Sequence, residues 1–199
     1  MPEQDDHKAR MQQMQDAHRR KTREASDAGR GLVLVHTGNG KGKSSSAFGV
    51  IVRALGWGQN VGVVQFIKGN WITGERRFID TLDRVTWHTM GEGFTWDTQD
   101  RERDITAAEA AFARAREMME SGEYDLVVLD EINIALRYDY LTVEAVIDGL
   151  RARHARTGVI LTGRDAPAQI CEYADLVSEM TEVKHPFQAG IKAQKGVDF

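Results

Sequence analysis

The 199-residue sequence has a single cysteine, Cys171, so no internal disulfide can form and a reducing compartment is expected. Cys171 reads as a small buried helix residue rather than a reactive thiol. No apolar run approaches the roughly 20 residues that span a bilayer, and the charged N-terminus lacks an apolar signal segment. The expectation is a soluble, cytoplasmic protein. An excess of charge of one sign is also missing: 26 Lys and Arg against 30 Asp and Glu leave a net charge of -4. That balance gives no global attraction to nucleic acid or to an anionic membrane, and neither is expected as a partner. The histidines, at 7, 18, 36, 88, 154 and 185, show no metal-ligand spacing, so none is given a zinc role. Internal repeats and low-complexity linkers are absent.

What is present is a hydrophobic fraction of 41%, enough for one domain with a real core. Residues 1 to 28 are polar, with a narrow helical stripe at Met11, Met14 and Ala17, and alone this segment is expected to be mobile. From residue 29 to 199 short β-rich runs alternate with helical ones, the sign of a parallel sheet with crossover helices. Strands are expected at 31–36, 60–68, 84–89, 124–130, 158–163 and 175–180, and the central ones are nearly continuous apolar runs, as befits strands covered on both faces. Helical spacing appears in SSAFGVIVRAL, TAAEAAFARAREMMES, TVEAVIDGLRARH and APAQICEYA, with Thr106 and Glu109 forming a capping box at the start of the second. The fold class expected is α/β, a doubly wound, mostly parallel sheet of P-loop nucleotide-binding type in a single domain.

The stretch HTGNGKGKSSS, His36 to Ser46, carries the chemistry. A strand, a loop with three glycines and a helix beginning near Ser44 aim backbone N–H groups and a positive helix end at one point, which suits a phosphate. Gly38, Gly40 and Gly42 allow close backbone approach, Lys43 supplies a point charge, Lys41 adds a second cation, and the Ser44 hydroxyl can meet Mg²⁺. Thr37 stands where the common pattern G-x-x-x-x-G-K-[ST] begins with glycine. Asp130 and Glu131 end the apolar run VVLDE, where a P-loop fold places acidic partners for magnesium. These residues leave three readings open: an ATPase with Glu131 positioning water, a transferase that grips a polyphosphate leaving group, and a nucleotide-gated binding module.

Longer motifs discriminate among them. TGNGKGKSS, MGEGFTWDTQDRERD, VVLDEINIALRYDYL, LTGRDAP and VSEMTEVKHPFQAGIKAQKGVDF together resemble the ATP:corrinoid adenosyltransferases of the cob(I)yrinic acid a,c-diamide type, from about Gly31 to Phe199. In that family threonine precedes GNGKGK, so Thr37 agrees with it. The resemblance implies transfer of the 5′-deoxyadenosyl group of ATP to Co(I) of a corrinoid with release of tripolyphosphate. It also implies ATP held in reversed orientation relative to ordinary P-loop enzymes, a homodimer, and a reduced flavin or flavoprotein as electron donor. Thr37, Gly38, Asn39, Gly40, Lys41, Gly42, Lys43, Ser44 and Ser45 match its triphosphate-binding loop. Ser44 and Glu131, with Asp130, match its magnesium positions. Arg53 and Arg164 match basic positions near nucleotide, and Phe94 and Trp96 match aromatics beneath the corrinoid ring.

That last match yields a test. An axial ligand on Co(II) hinders reduction, and two aromatic side chains against the lower face would displace it without coordinating cobalt. Phe94→Ala and Trp96→Ala are expected to bind ATP normally but to lose far more activity when Co(II) must be reduced on the enzyme than when Co(I) is supplied. Equal losses in the two assays, with the four-coordinate Co(II) signal intact, would return both residues to core packing.

Overall fold

A computed structural model describes residues 2–67, 73–89 and 100–198. Strands β1 (Val33–Thr37), β2 (Val61–Gln65), β3 (Val85–Thr89), β4 (Leu126–Asp130), β5 (Gly158–Thr162) and β6 (Leu176–Glu179) form one parallel sheet in the order β3-β2-β4-β5-β1-β6. Each falls inside a run expected from the sequence except β1, which runs one residue further, to Thr37. Helices α1 (Pro2–Glu24), α2 (Lys43–Gly56), α3 (Gly74–Ile79), α4 (Arg101–Glu120), α5 (Ile132–Arg137), α6 (Val143–Ala152) and α7 (Ala168–Tyr173) complete the described elements, with a 3₁₀ turn at Pro186–Ala189. The polar N-terminal segment contains α1, and its described side chains are exposed, Met11 and Met14 included. Among the described residues no helix is long and apolar enough to cross a membrane.

Side chains alternate across each strand, so the sheet has two apolar faces. Val61, Val63, Leu126, Val128 and Ile160 pack under α2, with Ile79 of α3. Val33, Val35, Val64, Val127, Leu129, Val159 and Leu161 pack against α4, α6 and α7, through Phe112, Met118, Leu150 and Ile170 among others. Cys171 belongs here: it is partly buried in α7 against this second core, and burial pushes its thiol above the ordinary value. The chain leaves β1 for α2 on one face, whereas the neighbouring β5 leads to α7 on the other. Such a reversal opens a crevice at the carboxyl ends of the two strands, the usual place for a ligand in an open α/β sheet.

One helix start differs from expectation. Helix α4 begins at Arg101, five residues before the Thr106 capping box, because the Asp100 side chain accepts the Arg103 N–H at 3.2 Å. Thr106 sits inside the helix and donates its hydroxyl to the Glu102 carbonyl at 2.9 Å. Glu102 and Asp104 lie in the first turn, where carboxylates favour the positive helix end. The short helices α3 and α5 span less than two turns each, too little for a hydrophobic period to appear in the sequence.

Asp175 ties the entry of the sheet to its last strand. It forms an ion pair with Arg30 at 2.5 Å and accepts the Val33 N–H at 2.9 Å. The Arg30 hydrogen bond, then the Val33 N–H, hold its carboxyl down at about 2, against an ordinary 3.8. A depressed acid stabilises the fold above the ordinary value and loses that contribution as pH falls toward the folded one. Asp175→Asn is therefore expected to lower the melting temperature by about 2 °C at pH 7, the modest worth of an exposed pair. The difference from the parent should shrink between pH 4 and pH 2, and melting curves across that range check it.

Candidate functional site

The phosphate loop follows β1. Gly42, at φ 114°, makes the sharp entry into α2 and gives that helix no side-chain cap. The first amides of α2 therefore have no side-chain acceptor from the cap residue, and helical geometry leaves the first four N–H groups of any helix without an intrahelical partner. Asn39, Lys41 and Ser45 are exposed on this loop and turn, and Ser44 is half-buried. Gly38 and Gly40 are buried against the chain that follows β6. A Cβ on Gly38 would fall 2.4 Å from the Met180 carbonyl oxygen, and one on Gly40 would fall 2.8 Å from the Thr181 carbonyl carbon. The Gly40 N–H donates to the Met180 carbonyl at 2.7 Å, and the Met180 N–H donates to the Thr37 carbonyl at 2.8 Å. The loop is thus moulded by residues 179–181, and the Gly40 amide is committed there.

Both loop lysines are occupied by protein groups. The buried Lys43 ammonium donates to the Gly40 carbonyl at 2.6 Å. Burial lowers its pKa, Glu131 opposes that shift, and Arg164 adds to it. Lys41 forms an ion pair with Asp198 at 2.5 Å, and Asp198 also accepts the Gln194 N–H at 2.8 Å. The Lys41 hydrogen bond, then the Gln194 N–H, depress the Asp198 carboxyl.

The opposite lip of the crevice is the turn after β5. Thr37 Oγ1 accepts the Ala166 N–H at 3.1 Å, which joins the two lips. Arg164 is exposed on this turn, and its charge reaches both Lys43 and Glu131. Asp165, at φ 56°, pairs with Arg137 of α5 at 3.0 Å.

Next to the β5 turn, on the side away from β1, stand the two acids at the end of β4. Asp130 is buried, accepting from the Thr162 hydroxyl at 2.9 Å and from the Gln65 amide at 3.3 Å, with Ser44 as a third hydrogen-bond partner. Burial raises its pKa, and those three bonds oppose the rise. Glu131 follows in the left-handed region, at φ 63°, with its N–H donating to the Thr162 hydroxyl at 2.9 Å. Burial and then the Asp130 charge push its carboxyl up to about 7, against the pull of Lys43 and Arg164. Asn133, fully buried in α5, donates to the Gly163 carbonyl at 3.1 Å.

Among the described residues no group of three or more His, Cys, Asp or Glu side chains gathers as a metal site. Magnesium with a nucleotide does not need one, since it binds through one or two protein oxygens plus phosphate and water. Two adjacent acids, the buried Asp130 and the half-buried Glu131 with its carboxyl driven up to about 7, form a donor set that a cation would relieve.

The structure thus brings Lys43, Ser44, Asp130, Glu131 and Arg164 together. Arg53 is not among them: it lies exposed in the last turn of α2, ten residues after Lys43 and so about 15 Å along the helix axis. Phe94 and Trp96 lie outside the described residues. Sequence reading missed Gln65, Thr162, Asn133 and Asp198. Gln65 and Thr162 carried a signal, since each ends a nearly continuous apolar strand with a polar residue.

A profile of the family "ATP:corrinoid adenosyltransferase BtuR/CobO/CobP" matches residues 29–199. The chain belongs to the ATP:corrinoid adenosyltransferase family. A corrinoid adenosyltransferase of Pseudomonas aeruginosa is 53% identical over 100% of this chain and 98% of its own. The corrinoid adenosyltransferase CobA of Salmonella typhimurium is 49% identical over 85% of this chain and 86% of its own. The family match covers every element that builds the crevice, from β1 through the residues that follow β6.

The Lys41–Asp198 pair places a carboxylate where an anionic ligand of Lys41 would sit. Asp198→Asn is expected to tighten ATP binding by roughly two- to fivefold, the worth of competing with one exposed ion pair. Calorimetric titration of both proteins at equal salt measures it, and weaker binding would mean that the pair holds Lys41 ready instead.

Proposed function

We propose that the protein transfers the 5′-deoxyadenosyl group of ATP to Co(I) of a corrinoid (cob(I)yrinic acid a,c-diamide, cobinamide or cobalamin) and releases tripolyphosphate, serving adenosylcobalamin synthesis and corrinoid salvage. Adenosyl transfer from ATP to a corrinoid follows from membership in the family. The observation that carries the finer reading is the convergence of the open α2 N-terminus, Lys43 and Arg164 on one crevice with the buried Asp130 and the half-buried Glu131.

Cobalt attacks the ribose C5′, the C5′–O bond breaks, and its electron pair leaves on the triphosphate. Negative charge thus develops on the departing oxygen. The first amides of α2, Lys43 and Arg164 would meet that charge with donors fixed before the reaction begins. Lys43 would exchange the Gly40 carbonyl for a phosphate oxygen. Ser44 and Glu131 would hold magnesium, with Asp130 orienting the Ser44 hydroxyl. When bound, the ion supplies further charge neutralisation along the triphosphate. Phe94 and Trp96 would cover the lower face of the ring. A homodimer, a reduced flavin or flavoprotein donor and a cytoplasmic setting complete the reading and rest on the family.

One observation favours a hydrolase instead: a carboxyl driven up to about 7, as in Glu131, suits a general base for water. Incubation with ATP, magnesium and chemically reduced corrinoid separates the two. A light-sensitive Co–C product with tripolyphosphate is expected, whereas orthophosphate without corrinoid would favour hydrolysis.

Lys43→Ala should cost activity by roughly two to three orders of magnitude, the effect of losing one transition-state donor. Glu131→Gln should fold and lose magnesium dependence. Its stability has the opposite sign to that of Asp175. The folded value, about 7, lies above the ordinary 4.5, so ionising Glu131 costs stability progressively across that window and fully above it. The metal-free Gln variant should therefore melt higher than the parent at pH 8 and little differently at pH 4. A parent-like magnesium titration, or equal melting at pH 8, would remove Glu131 from the metal site.

A further inference from the structure

The last residues of adjacent strands stand in register across the sheet: Thr89 of β3 opposite Gln65 of β2, and Gln65 opposite Asp130 of β4. They continue the columns that run Val85–Trp87, Val61–Val63 and Leu126–Val128 on the α2 face, so polar side chains replace apolar ones where the strands end. Hydrogen bonds join them in one direction. Thr89 Oγ1 accepts from Trp87 Nε1 at 3.1 Å and from Arg76 Nη1 at 3.3 Å. With both lone pairs taken, its own proton is directed to Gln65 Oε1, at 3.4 Å. That fixes which end of the Gln65 amide faces Thr89, and turns Nε2 to Asp130 Oδ2 at 3.3 Å. From the other side the Glu131 N–H occupies Thr162 Oγ1, whose proton goes to Asp130 Oδ1. Both carboxylate oxygens are thereby held by donors, one from β2 and one from β5.

We propose that Gln65 is a positioning residue for the metal and nucleotide site, acting through Asp130, and that Thr89 sets the direction of its amide. This rests on the reading of Ser44 and Glu131 as the magnesium holders. A carboxylate pinned on both oxygens cannot swing, so the Ser44 hydroxyl meets it in one orientation and keeps its lone pairs for the ion. An apolar residue at 65 would match the column below it but leave Asp130 Oδ2 without that donor. A flipped amide would set Oε1 against the carboxylate.

The test uses the full chain with ATP and Mn²⁺ as a spectroscopic probe, the bound metal being read by electron paramagnetic resonance without any turnover. Gln65→Leu is expected to weaken Mn²⁺ binding about tenfold, the cost of one unsatisfied buried acceptor, while ATP binding without metal stays at the parent value. Thr89→Val, which is close in shape and lies two strands from Asp130, should weaken Mn²⁺ binding in the same direction by about threefold, since a disoriented amide loses part of that bond. In an Asp130→Asn background Gln65→Leu should have no further effect, because the group it positions is gone. If Gln65→Leu does not fold, Thr89→Val and its cycle with Asp130→Asn decide alone. Parent-like Mn²⁺ affinity in the variants, or effects that simply add to that of Asp130→Asn, would overturn the proposal. A parent protein that binds ATP but no Mn²⁺ would overturn the magnesium reading and this inference with it.

Discussion

Two carboxyl groups adjacent in sequence, the buried Asp130 and the half-buried Glu131, stand side by side, and the structure around them is organised by how their charge is met. Neither can be left bare, because an uncompensated ion in low dielectric is far more costly than any single contact in the fold. The two are compensated differently. Asp130 receives neutral donors from both neighbouring strands and from Ser44. Glu131, turned outward by a left-handed backbone, is offered the charges of Lys43 and Arg164 and still sits near 7. One acid is satisfied by the scaffold and the other is left with a shortfall. That inequality is what the proposed magnesium ion would relieve.

The sheet was legible in the sequence because a strand covered on both faces must be apolar at consecutive positions, and only the termini are free to change character. The central strands could be placed for that reason, and the edge strands β3 and β6 by their position in the alternation of strand and helix. So could the glycine-rich turn between β1 and α2, whose three glycines stand between a strand and a helix. Features built from one residue each were less visible. Asp100 caps α4 from outside the helical pattern, so Thr106 with Glu109 offered a better-looking but incorrect start. Arg53 matched a basic position by alignment alone, and helix geometry carries it away from the loop. Lys41 with Asp198, separated by most of the chain, carries no local pattern at all. Gln65 was readable in principle as a polar ending to an apolar column, but its importance depends on strand order and register, which no local pattern reveals.

Glycine illustrates the same limit. Gly38, Gly40 and Gly42 read alike in sequence, as positions where backbone can come close to phosphate. In the fold they divide. Gly42 turns the chain into α2, while Gly38 and Gly40 clear space for Met180 and Thr181. A motif can be recognised correctly while individual positions within it answer to different neighbours.

Strand order also bears on how the protein is made. β1 is synthesised well before its partners in the sheet, β5 and β6, which come after residue 157. A nascent chain that has not reached those residues has no flank on either side of β1 and no Met180 to shape the loop. Long-range pairing of this kind is slow to close. Nucleotide competence should therefore arrive late in biogenesis, with completion of the sheet, so that partial chains emerging from the ribosome do not sequester ATP in a half-built crevice.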